Sequence, residues 1–180
     1  MHTLKIAIDI TWVVFWVYWL GSAFGVKAGR ASRRRIPLTG LTGLSVVVLV
    51  RVFRGGSLAV HSPVLGAIGA VVFASGLTLA VWARVHLGRN WGMPMTEKAE
   101  PELVTSGPYR LVRHPVYSGL LAGVLGTALV TNLIGLIIVA ILCGYFYYCA
   151  SVEEKNLTAA FPTEYPAYRN STKMLIPFVL

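Results

Sequence analysis

Residues 103–119 hold the chain's densest mixture of groups able to do chemistry: Tyr109, Arg110, Arg113, His114 and Tyr117, punctuated by Pro108 and Pro115. A residue before proline is pushed out of the α region, whereas proline itself suits the first turn of a helix. His114 is therefore expected as the last extended residue and Pro115 as the first helical one. That places Arg113 and His114 at the mouth of the following helix, where free amides favour an anion. Tyr117 lies one turn in, on roughly the same side. A second polar pair, Glu153-Glu154, follows after two apolar runs. A pocket of carboxylates, rings and positive groups beside a bilayer suits a zwitterionic cosubstrate with a cationic centre, meeting a lipid-soluble partner. The residues alone leave a second reading open, a basic interfacial anchor with tyrosine at headgroup level.

Other chemistries lack their residues. The chain has no Gly-x-x-x-x-Gly-Lys, His-Glu-x-x-His or Cys-x-x-Cys, and no Gly-x-Ser-x-Gly elbow. The four histidines are scattered and only His114 has polar company, so no metal site is expected. Cys143 and Cys149 share the last apolar run on different helical faces, and both are expected as small buried hydrophobes.

What must position these groups is a membrane domain. Of 180 residues, 56% are hydrophobic and only 13% charged, with a mean hydropathy of +0.67. At roughly 20 residues per span, the length suits a single all-α domain of about five transmembrane helices. The apolar runs fall near residues 6–26, 38–53, 63–83, 115–130 and 133–150. The first is rich in tryptophan, lacks a small-residue cleavage site and reads as a retained span. Asp9 near its start is expected at the interface. Residues 1–83 then supply three spans, 84–114 a cytoplasmic connection carrying the motif, 115–150 a helical hairpin and 151–180 a tail completing the site. Gly66, Ala70 and Gly76 in the third run, and Gly119, Gly123 and Gly126 in the fourth, offer small-residue faces for close packing. In the tail, Leu157, Phe161, Tyr165 and Tyr168 step like one helix face, and Pro162 and Pro166 interrupt it. Two short interfacial helices are expected, with the tyrosines as packing residues.

The net charge of +9 lies in the connections between apolar runs, a pattern that writes topology and does not form a nucleic-acid face. The basic run at residues 27–35 reads as an anchor on anionic lipid. With five spans, Lys and Arg divide thirteen against three. The N-terminus is therefore expected outside and the C-terminus in the cytoplasm, with the motif and Glu153-Glu154 on one cytoplasmic face.

Gly-Pro-Tyr-x-x-x-Arg-His-Pro-x-Tyr-x-Gly at 107–119, followed by Glu-Glu-x-x-Leu-x-x-x-Phe-x-x-Glu-Tyr-x-x-Tyr at 153–168, strongly resembles the isoprenylcysteine carboxyl methyltransferase family. Leu87 to Trp91 and Leu103 to Gly107 are similar to it too, so the resemblance covers about residues 84–177. Phospholipid N-methyltransferases share a similar pattern. The resemblance implies an integral membrane enzyme that uses S-adenosylmethionine, releases S-adenosylhomocysteine and has no Rossmann domain. Carried over, the cofactor pocket takes in Glu102, Leu103, Val104 and Tyr109. His114, Pro115, Val116 and Tyr117 continue it, and Glu153 closes it. Arg113 and Glu154 are the catalytic candidates.

The implied acceptor is lipophilic and enters from the bilayer. It is most simply an isoprenylcysteine-like carboxylate, with an amino-phospholipid or a small thiol as alternatives. Eukaryotic members carry an arginine just before the acidic pair, and here that stretch reads Cys149-Ala-Ser-Val152. Arg110, Arg113 or Arg169 would have to replace it, or the acceptor differs. The chain resembles the minimal, bacterial form, which implies an inner-membrane location. A non-enzymatic scaffold or transport component is the remaining alternative, but the chain retains Arg113, His114 and both acids.

Overall fold

The computed structural model describes residues 1–23, 58–90 and 102–176, and the segment expected as a second span, 38–53, lies outside them. Five α-helices are described: α1 (His2–Ala23), α2 (Pro63–Leu87), α3 (Pro115–Thr131), α4 (Gly135–Ala160) and α5 (Glu164–Ser171). Two 3-10 turns, Gly88–Asn90 and Gly107–Arg110, lie between α2 and α3. Helices α1, α2 and α4 are long and apolar enough to cross a bilayer, and α3 is a shorter apolar helix. The protein is an all-α integral membrane protein.

The helices begin where local chemistry starts them. Ser62 caps α2 by accepting a hydrogen bond from the Leu65 amide at 3.4 Å, with Pro63 at the first helical position. Pro115 opens α3 as the sequence implies, but His114 before it has φ −125° and ψ 61°, outside the extended region expected, and its side chain makes no capping hydrogen bond. Between α3 and α4 the Asn132 side chain accepts from the Ile134 amide at 3.0 Å. Residues 58–60 pair with this turn: the Val60 amide donates to Thr131 at 3.1 Å and the Leu133 amide to Leu58 at 3.0 Å.

Backbone contact between α2 and α3 fixes the bundle. A Cβ placed on Gly119 would lie 2.5 Å from the Gly76 carbonyl oxygen and 2.6 Å from the Ala80 nitrogen. One placed on Gly76 would meet the Gly123 nitrogen at 2.6 Å. No side chain fits there, so the small-residue faces do what their spacing implied. Gly66 differs, because its open side faces Met1 and not α3. Helix α1 lays Ile8, Trp12, Phe15 and Trp19 on this pair, and the Trp12 indole donates to Thr127 Oγ1 at 3.0 Å.

Asp9 is buried in the protein, 8% exposed. Two expectations change. Cys149 is buried, whereas Cys143 is exposed on the outer face of α4. The tail also contains one short helix of its own, because α4 runs unbroken past Glu153 and Glu154 to Ala160. Nothing at 150–153 breaks a helix, and the first break comes at Pro162. Pro166 sits inside the first turn of α5, where its missing N–H has no helical partner to lose.

Candidate active site

The expected cluster assembles where the mouth of α3, the far half of α4 and the tail meet. Its centre is Glu154, whose side chain is only 6% exposed. Arg113 Nε donates to Glu154 Oε1 at 2.7 Å. His114 Nε2 lies 3.4 Å from the same oxygen, and Arg169 Nε 3.5 Å from Oε2. Glu153 takes the other side of the imidazole, with Oε2 3.4 Å from His114 Nδ1, and accepts a hydrogen bond from the Tyr117 hydroxyl. The residues read at the helix mouth and the acidic pair therefore form one network.

An aromatic stack backs the carboxylates. The His114 and Tyr117 rings lie 5.6 Å apart and 10° from parallel, and Tyr117 stacks on Phe146 at 4.8 Å and 14°. Phe146 was missed in the sequence, although it precedes Glu153 by two helical turns and so shares its face.

The tail forms the third wall, also unanticipated in detail. Residues 172–176 run beside 112–114: the Arg113 amide donates to Lys173 at 2.8 Å and the His114 amide to Met174 at 3.1 Å. Arg113 Nη1 donates to the carbonyls of Thr172 and, at 3.1 Å, Arg169. Ser118 Oγ donates to the Leu175 carbonyl, and Leu175 is buried against Tyr117, Cys149 and Ala150. The chain's own carbonyls thus take the amides of residues 113 and 114, where the sequence suggested an external anion. The apolar run after Lys173 was the available signal.

The other expected residues are positioned differently. Tyr109 is buried, its hydroxyl 3.5 Å from the Ala83 carbonyl, while its own carbonyl accepts the Tyr168 hydroxyl at 2.7 Å. The turn that carries it starts at Gly107 with φ +59°, where a Cβ would strike the His86 ring at 2.7 Å. His86 in turn lies 2.8 Å from Ser106 Oγ. Leu103 and Val104 are half-buried and outside any helix. Glu102 is exposed and accepts a hydrogen bond from Asn90, and this bond does not reach the Glu154 network. Pro115 is buried and Val116 packs partly against the core.

Electrostatics follow the geometry. Burial alone would lower the His114 pKa, but the carboxylates of Glu153 and Glu154 outweigh it and hold the imidazole above its ordinary value. Burial chiefly pushes the Tyr168 phenol up to about 12 and raises Tyr109 further. Both phenols are therefore neutral hydrogen-bond donors near neutral pH. His114 Nε2, buried, faces the Glu154 carboxylate at 3.4 Å, and this contact pairs the charged ring with that carboxylate.

The profile of the phospholipid methyltransferase family matches residues 64–164, from α2 to the start of α5. Three curated proteins are similar in sequence. The chain is 34% identical over 119 residues to the cobalt-zinc-cadmium resistance protein CzcN of Cupriavidus metallidurans, covering 64% of this chain and 50% of that one. It is 31% identical over 105 residues to the nickel-cobalt-cadmium resistance protein NccN of Alcaligenes xylosoxydans xylosoxydans, covering 57% and 46%. Over 85 residues it is 35% identical to the protein-S-isoprenylcysteine O-methyltransferase of Saccharomyces cerevisiae, covering 46% and 36%. The chain spans about half the length of the first two relatives and about a third of the yeast protein.

Proposed function

The chain belongs to the phospholipid methyltransferase family, and from that premise we propose that it is a membrane methyltransferase using S-adenosylmethionine on a lipophilic acceptor. The observation that carries this is the stack of His114, Tyr117 and Phe146 beside the paired carboxylates of Glu153 and Glu154. When bound, S-adenosylmethionine supplies an electrophilic methyl group on a positively charged sulfur. The residues present fit such a group. Stacked aromatic faces attract a sulfonium, and Glu153, whose residue is half-buried, suits an ammonium or a ribose hydroxyl. His114, held between Glu153 and Glu154, lines the same side of the site as this stack.

The chain's own residues then hold and orient, and they exclude water. Arg113 and Glu154, the catalytic candidates of the sequence, act in this reading as positioning residues. Arg113 is committed through Nε to Glu154 and through Nη1 to tail carbonyls. It fastens the tail over the helix mouth. In-line transfer to a carboxylate or thiolate needs alignment and desolvation more than a base. A membrane-borne carboxylate of the isoprenylcysteine type is the acceptor favoured here, in line with the yeast relative's name. A cytoplasmic site is part of this reading, supported by the excess of Lys and Arg in the connections on that side. Among the described residues no three His, Cys, Asp or Glu side chains are grouped to hold a metal ion.

Calorimetry with S-adenosylhomocysteine on detergent-purified protein tests the proposal. The wild type should bind, and Glu153→Gln should bind about tenfold more weakly, or about 1.4 kcal/mol, with little loss of folding. A folded wild type with no affinity for S-adenosylhomocysteine would remove the cofactor from this reading and favour a scaffold that keeps the fold alone.

A further inference from the structure

The site is closed. His114, Tyr117 and Glu154 are 7%, 8% and 5% exposed. A ligand of nucleoside size reaches them only if an element that covers them moves. Helix α3 cannot move away, because at Gly119 and Gly126 it meets α2 backbone to backbone. Helix α4 carries Glu153 and Glu154 itself and would dismantle the site by leaving. Helix α5 is anchored too: Tyr165 is fully buried, and the Tyr168 hydroxyl donates to the Tyr109 carbonyl at 2.7 Å.

The chain beyond α5 is held differently. Thr172 leaves the helix with φ −131° and ψ 157°, and from there to residue 176 only Leu175 is buried. Lys173 and Ile176 are exposed. The helix mouth fastens this stretch by its backbone carbonyls. The Arg113 amide donates to Lys173 at 2.8 Å and the His114 amide to Met174 at 3.1 Å, while Arg113 Nη1 donates to Thr172 and Ser118 Oγ to Leu175. On release such bonds exchange for bonds to water, so each resists opening only weakly. The apolar hold is Leu175, packed with Tyr117, Cys149 and Ala150. One short stretch therefore covers a ring of the site and the amides beside it, through weak fastenings and a single plug.

We infer that residues 172–176 are a strap that lifts about Thr172 to admit and release the cofactor, with Leu175 as the plug over Tyr117. The inference rests on the function proposed above and gives the tail a gating step in addition to its place as a wall. Lifting frees the amides of Arg113 and His114 together with the Tyr117 ring, and leaves α5 in place.

A tether tests this. Leu175 and the native Cys149 share one buried cluster, so Leu175→Cys brings two thiols together for oxidative cross-linking, with Cys143→Ser removing the other thiol. The readout is exchange of radiolabelled S-adenosylhomocysteine on detergent-purified protein. Cross-linked protein should take up and release the ligand at least about tenfold more slowly than the reduced form, and a reductant should restore both rates. Ser118→Ala, which removes one fastening, should speed uptake and release alike by about fivefold and leave the affinity nearly unchanged. Equal rates in the cross-linked and reduced forms overturn the inference while the proposed function stands. Where the cross-link does not form, or the reduced variant does not bind, Ser118→Ala decides alone. Faster exchange in both directions supports the strap, and unchanged rates or a loss of affinity without faster uptake overturn it. A folded wild type that binds no S-adenosylhomocysteine fails the proposed function itself, and the inference with it.

Discussion

Helix α3 is built by two different physics along its length. Its body, from Gly119 to Gly126, meets α2 backbone to backbone, without charge and with no room for a side chain. Its mouth, at Arg113 to Tyr117, meets α4 and the tail through an ion pair, carboxylate–imidazole contacts and tail carbonyls. In a bilayer there is no water to reward burial of apolar surface between helices, so close packing must hold the body. Packing alone gives no ligand a handle. The mouth is the reverse, since its polar groups are costly to bury and stable only while they satisfy one another. The body tolerates no added volume, and the mouth tolerates no missing partner.

The largest effect should come from taking one partner out of the mouth. Glu154→Gln removes the counter-ion of the Arg113 guanidinium, whose side chain is 8% exposed, and should cost up to about 3 kcal/mol of unfolding free energy, since its bonds to tail carbonyls remain. Replacing both residues by methionine should recover most of that loss, as a double-mutant cycle in chemical denaturation would read. Additive losses would mean that the two residues do not act as a pair.

Adding volume to the body should come next. Gly119→Ala forces its methyl group onto the Gly76 and Ala80 backbones and should cost about 1–3 kcal/mol. A neutral result in thermal unfolding would mean that α2 and α3 separate easily and that the contact does not fix the bundle.

A smaller effect depends on pH. The folded His114 pKa lies above its ordinary 6.5 because two carboxylates favour the charged ring over the burial that opposes it. Its contribution to stability is therefore complete below about 6.5 and is lost as pH rises through the higher folded value. The melting temperature should fall over that window, and His114→Gln should flatten the profile. A wild-type curve already flat there would mean that the ring is neutral in the folded protein.

The smallest effect lies away from both regions. Gly144 in α4 has nothing within 4 Å of where a Cβ would point. Gly144→Ala should therefore stabilise by about 0.5–1 kcal/mol through helix propensity alone. Destabilisation would reveal a packing partner for that face.

Much of this was legible in the chain itself. Pro63 and Pro115 mark helix starts because a fixed φ and a missing N–H are tolerated only there. Gly119, Gly123 and Gly126 mark a contact face because their spacing admits no other use in lipid. Arg113, His114 and Tyr117 announced a polar site by residue type, and Glu153-Glu154 by returning to the same side after a hairpin. The length of α4 was not legible, because acids after an apolar run read as an end even when no helix breaker is present.

The sequence by itself determined the membrane class, the helix starts, the small-residue seam and the set of polar residues, since each follows from local sterics or hydropathy. Only the tertiary structure decided the partners among them. Arg113 with Glu154 and the tail, Phe146 behind Tyr117 and His114 between Glu153 and Glu154 depend on contacts between segments far apart in the chain. Such pairings are fixed by how a whole set of buried groups satisfies its hydrogen bonds at once, and no spacing along one segment carries that information.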